Sequence, residues 1–280
     1  MKKLIGAFCI TFFITGQMLF AETNNDVWDG YKEILKNAVT VNWYSTIDGE
    51  FSHSSVDYKK IKNDTNALKL ISLQRNKLEF GKVPEEKKYK LAFWINAYNF
   101  FTIVDVVLNY PTTSMKRIGW KGKHHNVGGM LYSLDYIEYN ILRPLKDPRM
   151  HFAINCASVG CPALSKEIFT GDQIDEQLGR TVINALKNPL HLQLVSNDEI
   201  HTTKIFNWFG GDFKAPPYND ITDFIHKFAP ERFSKTNKSK AKIKYDWNLN
   251  TKQNVLKKMN ELGEIFPELR LKMEEKSTPK

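Results

Sequence analysis

The 280-residue sequence has three cysteines, and Cys9 lies in a leading apolar run, so Cys156 and Cys161 alone serve the body of the chain. A secreted domain stapled by disulfides uses more cysteines at wider separations, so burial must hold this fold together. The leading run, residues 4–14, falls below the roughly 20 residues that a membrane-spanning helix needs. Internal repeats are missing, and no linker exceeds the charged stretch 229–244. A chain without them is most simply one domain. With 42% hydrophobic, 12% aromatic and 25% charged residues, the composition excludes a disordered, fibrous or multi-span protein.

Lys2 and Lys3 precede the apolar run, and a small residue, Ala21, follows it. This order of charge, hydrophobicity and small residue predicts a signal peptide over 1–21, cleaved before Glu22, and a periplasmic or secreted protein with no stable membrane span. Loss of Lys2 and Lys3 takes the net charge from +9 to +7. That modest excess suits anionic surfaces in general, and the export destination argues against nucleic acid. The densest basic run, 235–244, meets no aromatic residue until Tyr245, so it is expected to be a solvated face or loop.

Spacing along the chain predicts helices over 26–41 and 54–73, the second capped by Ser54 or Ser55. Pro84-Glu85-Glu86 predicts the start of a third helix, continuing to about Leu108. Residues 116–129, rich in Gly and Lys, should form a loop or hairpin. Ser133 should cap a short helix reaching Leu142. Met150-His151-Phe152-Ala153-Ile154 is short and apolar, as in a strand. Further on, the pattern predicts helices at 171–186 and 220–228, strands at 190–195 and 243–249, and a surface helix over 255–275 interrupted by Pro267. The fold class is α+β, a single domain over 22–250 with N-terminal helices packed on a small sheet, followed by a charged helix or tail over 251–280.

Chemistry concentrates in His151-Phe152-Ala153-Ile154-Asn155-Cys156-Ala157-Ser158-Val159-Gly160-Cys161-Pro162. A cysteine at a strand end, followed by small residues, can sit where backbone N–H groups favour the thiolate and form an oxyanion hole. Cys156 is thus a candidate nucleophile, and His151 or another of the seven histidines its base. On a strand, His151 would face away from Cys156, so their pairing requires a bend. Equally, Gly160 and Pro162 break any continuous helix and leave the pair free to form a Cys156–Cys161 disulfide, closing a loop for about 2 kcal/mol. Thiol–disulfide exchange is disfavoured because the pair is not Cys-x-x-Cys. Zinc ligation by His124, His125, His151, Cys156 and Cys161 matches no zinc spacing, so neither a metal nor a cofactor is expected. Asn96 and Asn99, one turn apart on an apolar helix, either satisfy backbone near Cys156 or grip a substrate amide. With Asn155, Glu138 and Trp208 they form the candidate substrate-binding set. Glu138 and Arg143, five apart, should each find a partner elsewhere.

Phe93-Trp94-Ile95-Asn96-Ala97-Tyr98-Asn99, Tyr132-Ser133-Leu134-Asp135 with Ile137-Glu138 and Leu142-Arg143, Asp147-Pro148-Arg149 leading into the cysteine motif, and Lys204-Ile205-Phe206 with Trp208 and Asp212-Phe213 together resemble the DUF547 family, domains named for unknown function. The resemblance is strongest over 87–213 and extends to Tyr245-Asp246-Trp247-Asn248-Leu249-Asn250. It suggests, by analogy, a papain- or transglutaminase-like thiol fold. The family usually carries His after Ile-Glu, where this sequence has Tyr139; if that His were the base, this member would be impaired. Plant members often keep the cysteine at Cys156 and lose that at Cys161, which implies that Cys156 is the more important thiol. The resulting expectation is a thiol-dependent hydrolase or acyltransferase acting on an amide or peptide-like substrate. The alternative is a scaffold that binds a cell-envelope ligand and is clamped by the disulfide.

Overall fold

A computed structural model describes residues 26–196, 199–233, 238–267 and 270–272; the expected signal peptide lies outside the described residues. The first helix, α1 (Asp29–Ala38), buries Gly30, Tyr31, Ile34, Leu35 and Ala38 at helical steps. It stops where Val39-Thr40-Val41 brings β-branched residues that favour extended backbone. That segment opens β1 (Val39–Thr46), which pairs antiparallel with β2 (Gly49–Val56) in register from Val39↔Val56 to Thr46↔Gly49.

The helix expected over 54–73 is corrected here. Residues 54–56 finish β2, and the Ser54 hydroxyl accepts a hydrogen bond from the Leu164 N–H at 2.6 Å instead of capping a helix. Two aspartates do the capping. Asp57 accepts from the Lys60 N–H and begins α2 (Tyr58–Asn63), and Asp64 accepts from the Asn66 and Ala67 N–H groups and begins α3 (Thr65–Phe80).

The centre of the molecule is α4 (Lys87–Leu108), in which every residue from Leu91 to Val107 is buried. A helix apolar on all sides belongs inside a protein or a bilayer. Here α4 is a core helix, because 94% of its apolar window is covered by the rest of the chain. Past it, β3 (His125–Val127) and β4 (Met130–Tyr132) form the expected hairpin. Ser133 then caps α5 (Leu134–Tyr136), which continues as a π-helix over Ile137–Leu142.

The strand expected at 150–154 is instead a 3₁₀ helix, Pro148–Phe152. Asp147 accepts from the Arg149 N–H, and Pro148 fixes φ at its first position, so the turn is set before the apolar run begins. Next come α6 (Ile174–Lys187), β5 (Leu192–Ser196), β6 (Glu199–Thr202), α7 (Lys204–Trp208), α8 (Ile221–Phe228) and β7 (Lys238–Lys240). The last elements are α9 (Lys252–Ile265) and β8 (Arg270–Lys272). The second three-stranded sheet has the order β5-β6-β7, and β8 adds to the free edge of β1.

The strand expected over 243–249 joins neither sheet. That segment lies along the cysteine loop through a single bridge, Ser158↔Leu249. The fold is a mixed α+β single domain. Its main core surrounds α4, and a second cluster gathers Phe152, Phe206, Phe213 and Phe224 beneath the cysteine segment.

Candidate active site

The core helix sets the position of the cysteine loop through one amide. The Asn99 side chain accepts from the Asn155 N–H at 2.8 Å and donates to the Ala153 carbonyl at 2.9 Å. Asn155 then organises the loop from within, donating to the Pro162 carbonyl and accepting from the Ala157 N–H, both at 2.8 Å. These bonds hold Ala157 at φ 60°, a left-handed conformation that costs a non-glycine residue about 1–2 kcal/mol. Segment 245–250 closes the far side: the Val159 and Gly160 N–H groups donate to the Asn248 and Asp246 carbonyls at 2.9 Å, and the Asn250 N–H donates to Ala157. Gly160 permits that approach, since a Cβ there would stand 2.8 Å from the Asp246 nitrogen.

The same contacts carry Tyr245 to the sulfurs. Cys156 and Cys161 are free thiols with their Sγ atoms 2.7 Å apart, and the Tyr245 hydroxyl lies 3.2 Å from one and 3.0 Å from the other. Ser158 Oγ is 3.7 Å from Cys156 Sγ. The hydrogen bond with Cys161, supported by those with Tyr245 and Ser158, draws the Cys156 thiol below its ordinary value against the opposing effect of burial. Burial, then the neighbouring Cys156, pushes Cys161 upward. The pair therefore divides into a thiolate-prone sulfur and a sulfur that keeps its proton, an arrangement that favours a nucleophile at Cys156.

Cys156 and Cys161 open on a cavity of about 380 Å³ whose wall includes Tyr98, Glu138, His151, Trp208, Tyr245 and Trp247. Burial, then the adjacent Cys156, raises the Glu138 carboxyl to about 8, so it holds a proton at neutral pH. Its hydrogen-bond partner is the Tyr98 hydroxyl at 3.4 Å. His151 presents Nε2 to Asp212 Oδ2 at 2.8 Å and stacks on Phe209 at 4.1 Å. Arg143 clamps the same carboxylate through Nε at 2.7 Å and Nη2 at 3.0 Å. Burial lowers the His151 value, partly offset by Asp212. Asp212 lies below the usual carboxylate range because the His151 and Arg143 hydrogen bonds together outweigh its desolvation.

The cavity thus brings together Cys156, His151, Glu138 and Trp208 from the sequence-predicted set. His151, on a 3₁₀ turn, gives its Nε2 to Asp212 instead of to the thiol, and its Nδ1 has no hydrogen-bond partner among the described residues. Trp208 is 44% exposed and packs on Tyr245 and Trp247 as an aromatic wall. Asn96, Asn99 and Asn155 all satisfy backbone groups, the first of the two roles expected for the helical pair. Asn96 is committed to both backbone groups of Phe169, and Asn99 and Asn155 brace the cysteine loop, so none of the three lines the cavity. Of the N–H groups expected to form a local oxyanion hole, those of Cys156, Ala157, Val159, Gly160 and Cys161 donate within the protein.

Arg143 and Glu138 did find separate partners. Sequence reasoning gave no role to Tyr245, Tyr98 or Asp212, although all three lie within the motifs that carry the family resemblance. The five residues considered for zinc fall into three places: His124 and His125 meet Asp105, His151 meets Asp212, and the cysteines meet Tyr245.

No curated protein and no solved structure matches the chain. The model of a family described as "Protein of unknown function, DUF547" matches residues 84–183, from the approach to α4 into α6. That stretch holds Asn99, Glu138, His151 and both cysteines, whereas Asp212 and Tyr245 lie beyond it. The central helix and the thiol pair both lie inside this matched region, which supports assigning this part of the chain to the DUF547 family.

Proposed function

We propose that the chain is an exported thiol enzyme that hydrolyses or transfers an acyl group from an amide or thioester of peptide-like character. The reading is carried by the Cys156 sulfur, which stands on the cavity wall with two hydrogen-bond partners, the Cys161 sulfur and the Tyr245 hydroxyl, at 2.7 and 3.2 Å. The thiolate attacks the carbonyl carbon, forming a C–S bond. Glu138, held neutral by burial, gives its proton to the departing amine or thiol and then, as a carboxylate, draws a proton from the water that frees the acyl group. His151, oriented by Asp212, is the second proton-handling group on the wall. The papain- or transglutaminase-like comparison is an analogy of fold and adds no step to this chemistry. Export belongs to the same proposal, and a mature chain beginning at Glu22 in the extracytoplasmic fraction is its expected signature.

A second reading rests on the closeness of the two sulfurs. An oxidant in the exported compartment would join them into a clamp, leaving the aromatic cavity as a binding site without a reaction. Alkylation with iodoacetamide across pH, before any reductant is added, separates the two. In the enzyme reading Cys156 labels first, with an apparent pKa below the ordinary thiol value of about 8.5, and the label disappears in Cys156→Ala. No labelling until reductant is added would favour the clamp. Faster labelling of Cys161 would refute Cys156 as the nucleophile.

A further inference from the structure

A separate cluster lies at the C-terminal end of α4. Asp105 is the only acidic residue of that helix, and its side chain is 3% exposed. A carboxylate taken out of water needs a positive partner or a metal ion. Among the described residues its ion-pair partners are two histidines: His124 Nε2 lies 2.8 Å from Oδ1, and His125 Nε2 lies 3.2 Å from Oδ2. The three donor groups all fall within 4.8 Å of one another.

The local backbone is arranged to bring both rings there. Consecutive residues of a strand point to opposite faces, yet His124 and His125 converge on one carboxylate because β3 begins only at His125. Gly122 makes room for the first ring, since a Cβ there would lie 2.9 Å from His124 Nδ1. Phe101 of α4 fixes the second ring by stacking at 4.3 Å and 19°. The His124 side chain is 52% exposed, so the cluster opens to solvent on one side.

We propose that Asp105, His124 and His125 form a binding site for a divalent transition-metal ion of the zinc type, with solvent completing the coordination beside His124. Two imidazoles and one carboxylate suit Zn²⁺ or Co²⁺, whereas Mg²⁺ and Ca²⁺ prefer oxygen donors alone. Neither histidine lines the cysteine cavity. The ion therefore ties the β3–β4 hairpin to the core helix, independently of the thiol chemistry.

The test titrates the chelator-treated full chain with Zn²⁺ by calorimetry and with Co²⁺ by visible absorption, alongside a Cys156→Ser/Cys161→Ser double variant. The expected result is one ion per chain in both proteins, with cobalt bands that lack thiolate charge transfer. His124→Ala should weaken zinc binding by more than about 100-fold, the upper range for loss of even an outer-shell partner. His124 is half-exposed, but it also pairs with the buried Asp105, so the melting of that variant without metal is measured beside the wild type to separate lost binding from lost stability. Asp105→Asn should also abolish the site, and if it fails to fold, His124→Ala decides. The proposal is overturned by no saturable uptake, by uptake unchanged in His124→Ala, or by uptake that disappears with the cysteines.

Discussion

Two histidines far from solvent make stability depend on pH. His53 and His191 are buried, and both ring nitrogens of His191 lack a hydrogen-bond partner among the described residues. Burial lowers His53 from 6.5 to about 4, and burial reinforced by His53 lowers His191 from 6.5 to about 3. The folded protein keeps both rings neutral while the unfolded chain protonates them, so stability falls as pH drops through 6.5 toward these values. Each pKa unit corresponds to about 1.4 kcal/mol. Between about pH 7 and pH 5, each histidine therefore removes about 2 kcal/mol and the pair about 4, a large part of a total that is typically 5–15. Glu138 acts in the opposite sense, because its raised value makes the fold more stable as the medium becomes acidic. The histidine contribution must accordingly be read as a difference between proteins. Urea unfolding at the two pH values, in the wild type and in His191→Leu, should show the variant losing about 2 kcal/mol less on acidification. If the variant keeps the wild-type pH dependence, the reasoning about buried neutral imidazoles fails.

Tyr245→Phe removes a hydroxyl that lies 3.2 Å from the Cys156 sulfur and can donate to its thiolate. A charge-assisted hydrogen bond contributes at least about 1.5 kcal/mol, so alkylation of Cys156 at neutral pH should slow about tenfold, seen as a raised apparent pKa. Asn99→Ala breaks two buried bonds to the cysteine segment and should cost about 2–4 kcal/mol in chemical denaturation. Gly160→Ala drives a methyl against the Asp246 backbone and should cost about 1–3 kcal/mol. It should also blunt the preference for labelling Cys156 over Cys161, measured by mass spectrometry of the labelled peptides.

The sequence revealed most where a residue's role is decided by its near neighbours. α4 was legible because its apolar residues continue on all sides of the helix for several turns, and Ser133 because its hydroxyl bonds three residues ahead. Cys156 stood out because small residues and a glycine surround it. The failures share a cause in distance. Ser54 resembles a cap until Leu164, 110 positions away, claims its hydroxyl. The run from Met150 to Ile154 is too short for periodicity to distinguish a strand from the turn that Asp147 and Pro148 impose. Asn96 and Asn99 gave the right signal, buried amides needing partners, but the partners were backbone and not substrate. Tyr245 was not given a role at the thiol because the loop it serves lies 84 and 89 positions upstream.

That separation also bears on when the molecule becomes reactive. Synthesis delivers the cysteine loop well before the segment that carries Tyr245 to it, and domains form as their contacting pieces become available. An emerging chain therefore holds Cys156 without its phenolic neighbour and without the strand-like strip that closes the far side of its loop. The two sulfurs gain their hydroxyl neighbour only when the segment around Tyr245 has docked against the loop.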